Sequence, residues 1–573
     1  MSKRKSDEYI FRKHDSIGAN DAENDEAFLK HCFEDTGDLT TLCDLAHPQR
    51  IVLGRTGSGK SALLLQIAHT QKGVITIEPD SLSLNYITNS TIIRCLYELG
   101  VNLDPFYKLL WRHVFAITLL QQRYDFTDES TTKASILSYL FESKETRKNR
   151  QAEQERRKKA LAYLEKWGGS FWKDVDVRTK EITNTFENQV KNNLAASGQA
   201  EGKVNWGFFQ GLISGKSEFS RDSLKKLSQE EKKEVIHRAQ EVVNEIQVKE
   251  LSGMLVFLDE VLTGSPHSYY IVIDRLDEAW VDDTLRYRLL KGLIDTVREF
   301  GKVHRVKIII ALRIDLIERL FHETKSESGF QEEKYRSLYL PINWNREHLI
   351  NILNKRISQL IKDRYTTYHP TCLDILPKSF GKDGKAIDYL LDRTWMRPRD
   401  IIDFFNSCIR RAEGRATFSK EIVMEAEGEY SGGRYRSVIT EWLGIYPSLD
   451  VLAKGMLKKR PATFSLESVS DATIDELCLT LATREGNADS ITAHANSRIS
   501  NLESVSDVRA AFLFALFRTG MVGVKSEAHK STRWTDNYSY SLSPSEITDT
   551  CSVSVHPALW RELGTKIAAE KTA

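Results

Sequence analysis

The stretch VLGRTGSGKSALLLQIA, Val52 to Ala68, joins a short apolar run, a glycine-rich turn and a helical pattern without a break. Residues Gly54 to Ser61 fit G-x-x-x-x-G-K-[ST], with RIVL before them and a helix-forming SALLLQIAHT after them. Small residues are needed in such a turn because backbone N–H groups must curl around a phosphate, and the N-terminus of the following helix adds its positive dipole end to the same anion. Lys60 is expected to reach the β- and γ-phosphates as a point charge, and the Ser61 hydroxyl to sit on Mg²⁺. Gly54, Arg55, Thr56, Gly57, Ser58, Gly59, Lys60, Ser61 and Ala62 are thus expected to hold a nucleotide. No guanine-reading N-K-x-D motif is present, which favours ATP. The competing reading is a strand-to-helix turn that binds nothing.

Two segments imitate the strand that ends in a magnesium-binding acid. In MLVFLDE, residues 254 to 260, apolar side chains recur at Leu251, Met254, Leu255, Leu258, Val261 and Leu262, the stripe of an amphipathic helix, so Asp259 and Glu260 read as solvated. In YYIVIDRLDEAW, Tyr270 to Ile273 is an unbroken run rich in β-branched residues, as in a central strand buried on both faces. Asp274 falls at its carboxyl end, where open parallel sheets bind ligands, and is expected to meet the magnesium of Ser61 directly or through water. Asp277 and Glu278 follow within one turn. Glu278 is the preferred base for an attacking water and Asp277 the fallback, against a reading in which all three acids only pair with Arg275 and other surface bases.

A hydrophobic strand, an aspartate, two residues and then Asp-Glu resembles the KAP and NACHT branches of the STAND-type P-loop NTPases. The chain also resembles a group of bacterial P-loop ATPases with an IGANDAENDE-like head, here residues 17 to 26, and a GFQEEKY-like segment, here 329 to 335. The likeness spans roughly residues 15 to 410 and implies an α/β P-loop fold that binds and hydrolyses ATP.

A further apolar strand, VKIIIAL at 306 to 312, ends in Arg313-Ile-Asp315. Arg313 is a candidate sensor of the γ-phosphate or its water, or else a helix-start arginine with Asp315 capping the next helix. In AAA-type relatives a basic residue just before the last strand reaches a neighbouring subunit's nucleotide, and Lys334 and Arg336 occupy that place. Such a role for Arg336 would require an oligomer; a local ion pair with Glu332 or Glu333 is the other reading. In TWMRPRDIIDFFNSCIRRA, Pro398 opens a helix with an apolar stripe through Ile401, Ile402, Phe405 and Ile409. The resemblance makes this a lid helix and Arg399 the arginine brought over the phosphates.

Five strands are expected near 50–53, 73–78, 269–273, 306–312 and 337–342, forming a parallel sheet. The parts are a head (1–48), a first P-loop segment (49–85), a charged helical insertion (86–262), a second core segment (263–362), a helical lid (363–430) and a C-terminal region (431–573). EYSGGRYRS marks the last boundary, a glycine-bearing one near 432, and the order helix, strand, loop and strand or helix toward the end suggests a winged-helix-like domain. Within the insertion, a charged run at 144–167 gives way to Trp167, Phe171, Trp172 and NWGFFQGLISGK. The KAP likeness would allow membrane spans there, but none is present.

Lysine plus arginine number 81 and aspartate plus glutamate 80, so no global basic field attracts nucleic acid, although local patches remain open. Seven cysteines without a C-x-x-C pair suggest reduced thiols and a cytoplasmic location. His31, Cys32, Cys43 and His47 lack the spacing of a zinc site. The leading expectation is a Mg-ATP-driven conformational switch, in bacterial anti-phage defence or stress signalling, with a homo-oligomer or an effector protein as partner. A DNA-associated ATPase and a nucleotide-gated scaffold without turnover are the alternatives.

Overall fold

The computed structural model describes residues 9–82, 90–124, 144–166, 183–193, 228–246, 252–263, 265, 267–278, 280, 283–324, 332–362, 370–380, 384–483, 489–527, 530–535 and 542–567. Trp167, Phe171, Trp172, the 205–216 stretch and residues 329–331 of the GFQEEKY segment lie outside them. The chain forms two compact units: Gly37–Arg55 with Leu63–Leu340, and Met1–Thr36 with Thr56–Ala62 and Pro341–Ala573.

The first of these units is built on a five-stranded parallel sheet of β1 (Ile51–Gly54), β2 (Val74–Ile77), β3 (Tyr269–Ile273), β4 (Val306–Arg313) and β5 (Tyr339–Pro341), in the order β2-β3-β4-β1-β5. All five residues of β3 and the first seven of β4 are buried, which is why both read as continuous apolar runs rather than alternating ones. Lys307 interrupts that run. Its ammonium is fully buried and donates to the carbonyls of Thr41 at 3.0 Å and Asp44 at 2.5 Å, capping the end of helix Asp38–Cys43. Burial, reinforced by Arg50, pushes the Lys307 pKa down to about 8 against the pull of Asp44.

Between β2 and β3 the described helices include Thr91–Glu98, Asp104–Tyr124, Lys144–Lys166, residues 183–193, Gln229–Ile246 and Ser252–Leu262. They share a core with the sheet. Helix Asp104–Tyr124, which holds the apolar run LLWRHVFAITLL, lies on helix Asp283–Glu299: the Trp111 indole donates to Leu289 O at 2.9 Å and Lys291 pairs with Asp104 at 2.6 Å. Gly292 permits the approach, because a Cβ there would stand 3.0 Å from that of Tyr107. MLVFLDE is helical, with Met254, Leu258, Val261 and Leu262 buried, while Asp259 accepts from His304 N at 2.7 Å and Glu260 pairs with Lys159.

In the second unit, helices Arg346–Lys362, Ala386–Asp392, Pro398–Arg411, Lys420–Trp442 and Leu449–Leu457 lead to β6 (Thr463–Ser465); helices Asp471–Ala482, Ser490–Ile499 and Val505–Arg518 lead to β7 (Val522–Lys525) and β8 (Ser552–Val555). The three strands form an antiparallel sheet in the order β6-β8-β7. One apolar core runs through all of these elements, so the lid and the C-terminal region are not separately packed. The boundary expected near 432 is absent: Gly432 and Gly433 lie inside the continuous helix Lys420–Trp442. The reason is close packing, not chain reversal. A Cβ on Gly432 would stand 3.1 Å from Glu562 Oε2, and Glu562 N donates to Ser431 Oγ at 3.2 Å.

The IGANDAENDE head is clasped by helices of the same unit. Ile17 N donates to Asn406 Oδ1 at 2.9 Å, Asn406 Nδ2 to Gly18 O at 3.0 Å, and buried Arg356 pairs with buried Asp25 and reaches Ile17 O at 2.8 Å.

Candidate nucleotide-binding site

Parallel pairing sends the carboxyl ends of β1, β3 and β4 to one edge of the sheet. Gly54 stands opposite Arg313, and Ile273, just before Asp274, stands opposite Ile310. Here β1 is flanked by β4 and β5, whereas the chain leaves it for the far edge of the sheet; such a reversal of strand order is where open α/β sheets bind ligands.

Asp274 is half-buried and accepts from Arg275 N at 2.8 Å. Arg275 adopts a left-handed backbone, φ 58°, and Glu278 N returns to its carbonyl at 3.1 Å, so the three acids are delivered by one tight turn. Arg313 grips Asp315 through two parallel bonds, Nε to Oδ1 at 2.9 Å and Nη2 to Oδ2 at 3.0 Å, and reaches Asp277 from Nη1 at 3.4 Å. Arg313 is thus the last residue of β4, directly before helix Ile314–Thr324, and its side chain joins Asp315 in that helix's first turn to Asp277 beyond β3. Glu278 stands 3.8 Å from Arg275 with about half its side chain exposed. Lost hydration first, then the charges of Asp277, Asp80 and Asp274, hold its pKa above the ordinary value against the opposing pull of Arg275. Asp80 escaped the sequence reading, although its position three residues beyond β2 brings it off the same edge of the sheet.

Arg336 is exposed and its pairing with Glu332 spans 4.0 Å, a contact worth little in water.

The segment Thr56–Ala62 belongs to the helical unit, and three of its successive carbonyls are bonded there. Arg397 Nη1 donates to Thr56 O at 3.1 Å, Arg399 N to Gly57 O at 3.4 Å, and the Trp344 indole to Ser58 O at 2.7 Å. Thr56 Oγ1 also donates to Glu441 at 3.3 Å. Gly57 and Gly59 have φ of 80° and 97°. A Cβ on Gly57 would lie 2.8 Å from Arg399 Cβ and 2.9 Å from its Cδ, so this turn has room for glycine alone. Arg399 itself donates from Nε to Asn20 O at 2.7 Å, joining the head to the start of helix Pro398–Arg411, where Pro398 takes the first position and Ile401, Ile402, Phe405 and Ile409 are buried. Arg397, Trp344 and Glu441 were not legible as site residues. The first stood two positions from Arg399 in the same motif; the others carried no signal.

Each unit carries part of the chemistry that a Mg-nucleotide requires: one has a turn shaped by left-handed glycines and followed by a lysine and a serine hydroxyl at a helix start, the other has carboxylates at its sheet edge. Asp274 and Ser61 fall in different units, so their meeting on one metal belongs to the functional proposal. Among the described residues, no helix is long and apolar enough to cross a membrane.

Residues 347–439 match the family described as FunZ-associated C-terminal helical domain. The chain is also 22% identical, over 474 residues, to a protein of Escherichia coli (strain K12) described as "Putative transposon gamma-delta 80.3 kDa protein". That alignment covers 79% of this chain and 55% of the relative, so the chain spans little more than half the relative's length.

Proposed function

We propose that the chain is a P-loop ATPase of the STAND, KAP and NACHT-like group that binds Mg-ATP on Gly54–Ala62 and uses hydrolysis to change conformation. The observation that carries the reading is the strand order β2-β3-β4-β1-β5, which sends Gly54, Asp274 and Arg313 to a single edge of the sheet. Bound Mg-ATP would supply the phosphoanhydride bond and the cation that offsets its charge. Lys60 would hold the terminal phosphates, and Ser61 and Asp274 would be the protein's ligands to the metal, Asp274 directly or through water. Glu278 takes the proton of the attacking water, a role that its raised pKa favours over Asp277, whose carboxylate is held by Arg313. Arg313 thereby acts as a positioning residue. Arg399 brings the lid to the phosphates, and exposed Arg336 is the arginine offered to a neighbouring copy.

The C-terminal sheet order β6-β8-β7, with helices between β6 and β7, supports a winged-helix-like module. The helix before β7, Val505–Arg518, is where such a module would read DNA. Its Arg509 is buried and pairs with Asp471 and, at 2.7 Å, with Asp549, while Arg518 donates to Tyr446 at 3.3 Å. Arginines spent on internal partners favour a packing and signalling role over base contacts. Cytoplasmic anti-phage defence or stress signalling, through an oligomer or an effector protein, remains the proposed setting. The second reading, a DNA-associated ATPase, is favoured by the relative's description as a transposon protein; salt-dependent binding to duplex DNA would select it.

The test is phosphate release by the wild type, Lys60→Ala and Glu278→Gln, with oligomer size measured alongside. We expect turnover in the wild type alone and retained ATP binding in Glu278→Gln. Equal rates for wild type and Lys60→Ala refute the reading.

A further inference from the structure

The phosphate loop is held from the side of its carbonyls. A trans peptide fixes each C=O and the next N–H in opposite directions. Bonding the carbonyls of Thr56, Gly57 and Ser58 therefore also fixes the N–H groups of Gly57, Ser58 and Gly59, which are the donors a phosphate needs. Two of the three groups responsible are side chains given no role above. The Trp344 indole has one donor, spent on Ser58 O at 2.7 Å, and its ring edge stands 3.4 Å from where a Gly59 Cβ would be, closing the space behind the loop. Arg397 is 8% exposed, donates to Thr56 O at 3.1 Å, and its other terminal nitrogen, Nη2, is buried without a hydrogen-bond partner. Leaving that nitrogen buried and unpaired costs stability.

We propose that Trp344 and Arg397 are positioning residues that preset the phosphate loop, so that the helical unit sets nucleotide affinity through the loop's carbonyls. In this role each acts on a carbonyl of the loop rather than on the nucleotide. The inference rests on the ATP-binding reading above. It requires that losing either donor weakens binding with little effect on the rate at saturation, because a loop that must be ordered by the ligand charges that ordering to affinity.

The experiment uses full-length protein carrying ¹⁵N-labelled tryptophan. The Trp344 indole signal is identified by its loss in Trp344→Phe, and its exchange with water is measured without nucleotide; Mg-ATP affinity and the KM and kcat of hydrolysis are then compared for wild type, Trp344→Phe, Arg397→Gln and Arg397→Lys. We expect an indole proton protected from exchange, a loss of affinity of about five- to tenfold in Trp344→Phe and Arg397→Gln, partial recovery in Arg397→Lys, and kcat within about twofold of wild type. A Trp344 indole that exchanges as a free one, or variants that bind Mg-ATP as the wild type does, overturn the inference while leaving the ATPase reading intact. A wild type that binds no Mg-ATP overturns the ATPase reading and this inference together.

Discussion

Replacing Gly57 by alanine tests the phosphate loop at the point where the geometry is least forgiving. The backbone there has φ 80°, and the new methyl would stand 2.8 Å from Arg399 Cβ and 2.9 Å from Arg399 Cδ. Left-handed backbone costs a non-glycine residue about 1–2 kcal/mol, and forcing a carbon into a filled space typically costs about 1–3 kcal/mol. The loop can escape both only by leaving its conformation, which also breaks the bond from Arg399 N to Gly57 O at 3.4 Å. At about 1.4 kcal/mol per tenfold, even the lower end of the combined cost weakens Mg-ATP binding by about 30-fold.

The steric and backbone contributions separate in a double-mutant cycle. Arg399→Gly removes both atoms that meet the methyl, so in Gly57→Ala/Arg399→Gly only the backbone penalty remains, and the coupling should recover about 1–3 kcal/mol. Isothermal titration of the four proteins with Mg-ATP gives the cycle directly, and thermal unfolding checks that each remains folded. Binding by Gly57→Ala within about threefold of wild type, or zero coupling to Arg399→Gly, would refute the reasoning.

The sheet edge, the buried lysine and the C-terminal packing each give a further expectation. Because the Glu278 pKa is raised in the free protein and a base must be deprotonated, kcat/KM should fall on the acid side at a pH above the ordinary 4.5, and a kcat/KM that stays flat down to 4.5 removes Glu278 from that role. The folded-state pKa of Lys307 lies near 8, below its ordinary 10.5, so between those values the unfolded chain holds a proton that the folded chain lacks. Wild-type stability should then rise with pH across that window relative to Lys307→Met, by at most about 3 kcal/mol in chemical denaturation; a constant difference contradicts the burial argument. Glu427 is 2% exposed and receives Tyr389 OH at 2.7 Å, Arg393 Nε at 2.5 Å and Arg561 Nε at 3.0 Å. Glu427→Leu should cost about 3–5 kcal/mol in urea unfolding by leaving those arginines without their counter-charge, and a loss below about 1 kcal/mol would mean that water replaces it.

What the sequence revealed followed from how locally each feature is encoded. The five strands lie within two residues of their expected positions at every end, because a strand buried on both faces must be apolar throughout and Tyr270 to Ile273 or Ile308 to Leu312 fit nothing else. MLVFLDE separated from YYIVID by period alone, and the structure agrees, with the first a helix and the second a strand running into the acids. Pro398 marked its helix start because proline lacks only a donor that the first turn leaves unused. By contrast, Gly432 misled. Glycine signals both chain reversal and close approach, and only the position of Glu562, 130 residues later, decides between them. The pairing of Arg313 with Asp277 is hidden for the same reason, since strand order and not chain distance brings β3 and β4 side by side.

The bonds on the phosphate loop explain why a strong motif still undersells its site. G-x-x-x-x-G-K-S encodes what the loop can become, because its glycines permit the turn and its lysine and serine supply the chemistry. It does not encode which way the peptide planes face before a ligand arrives. That choice rests with the side chains of Trp344 after β5, Arg397 before a helix start and Glu441 near the end of another helix, together with the backbone N–H of Arg399, groups spread over about a hundred positions that share only the ability to hold Thr56, Gly57 and Ser58. A loop so held already has its donors ordered, which saves the entropy that binding would otherwise consume. If the loop binds ATP as proposed, its affinity is tied to the helical unit: a partner that displaces Trp344 or Arg397 should change binding without touching the nucleotide, and nucleotide binding should in turn shift both side chains.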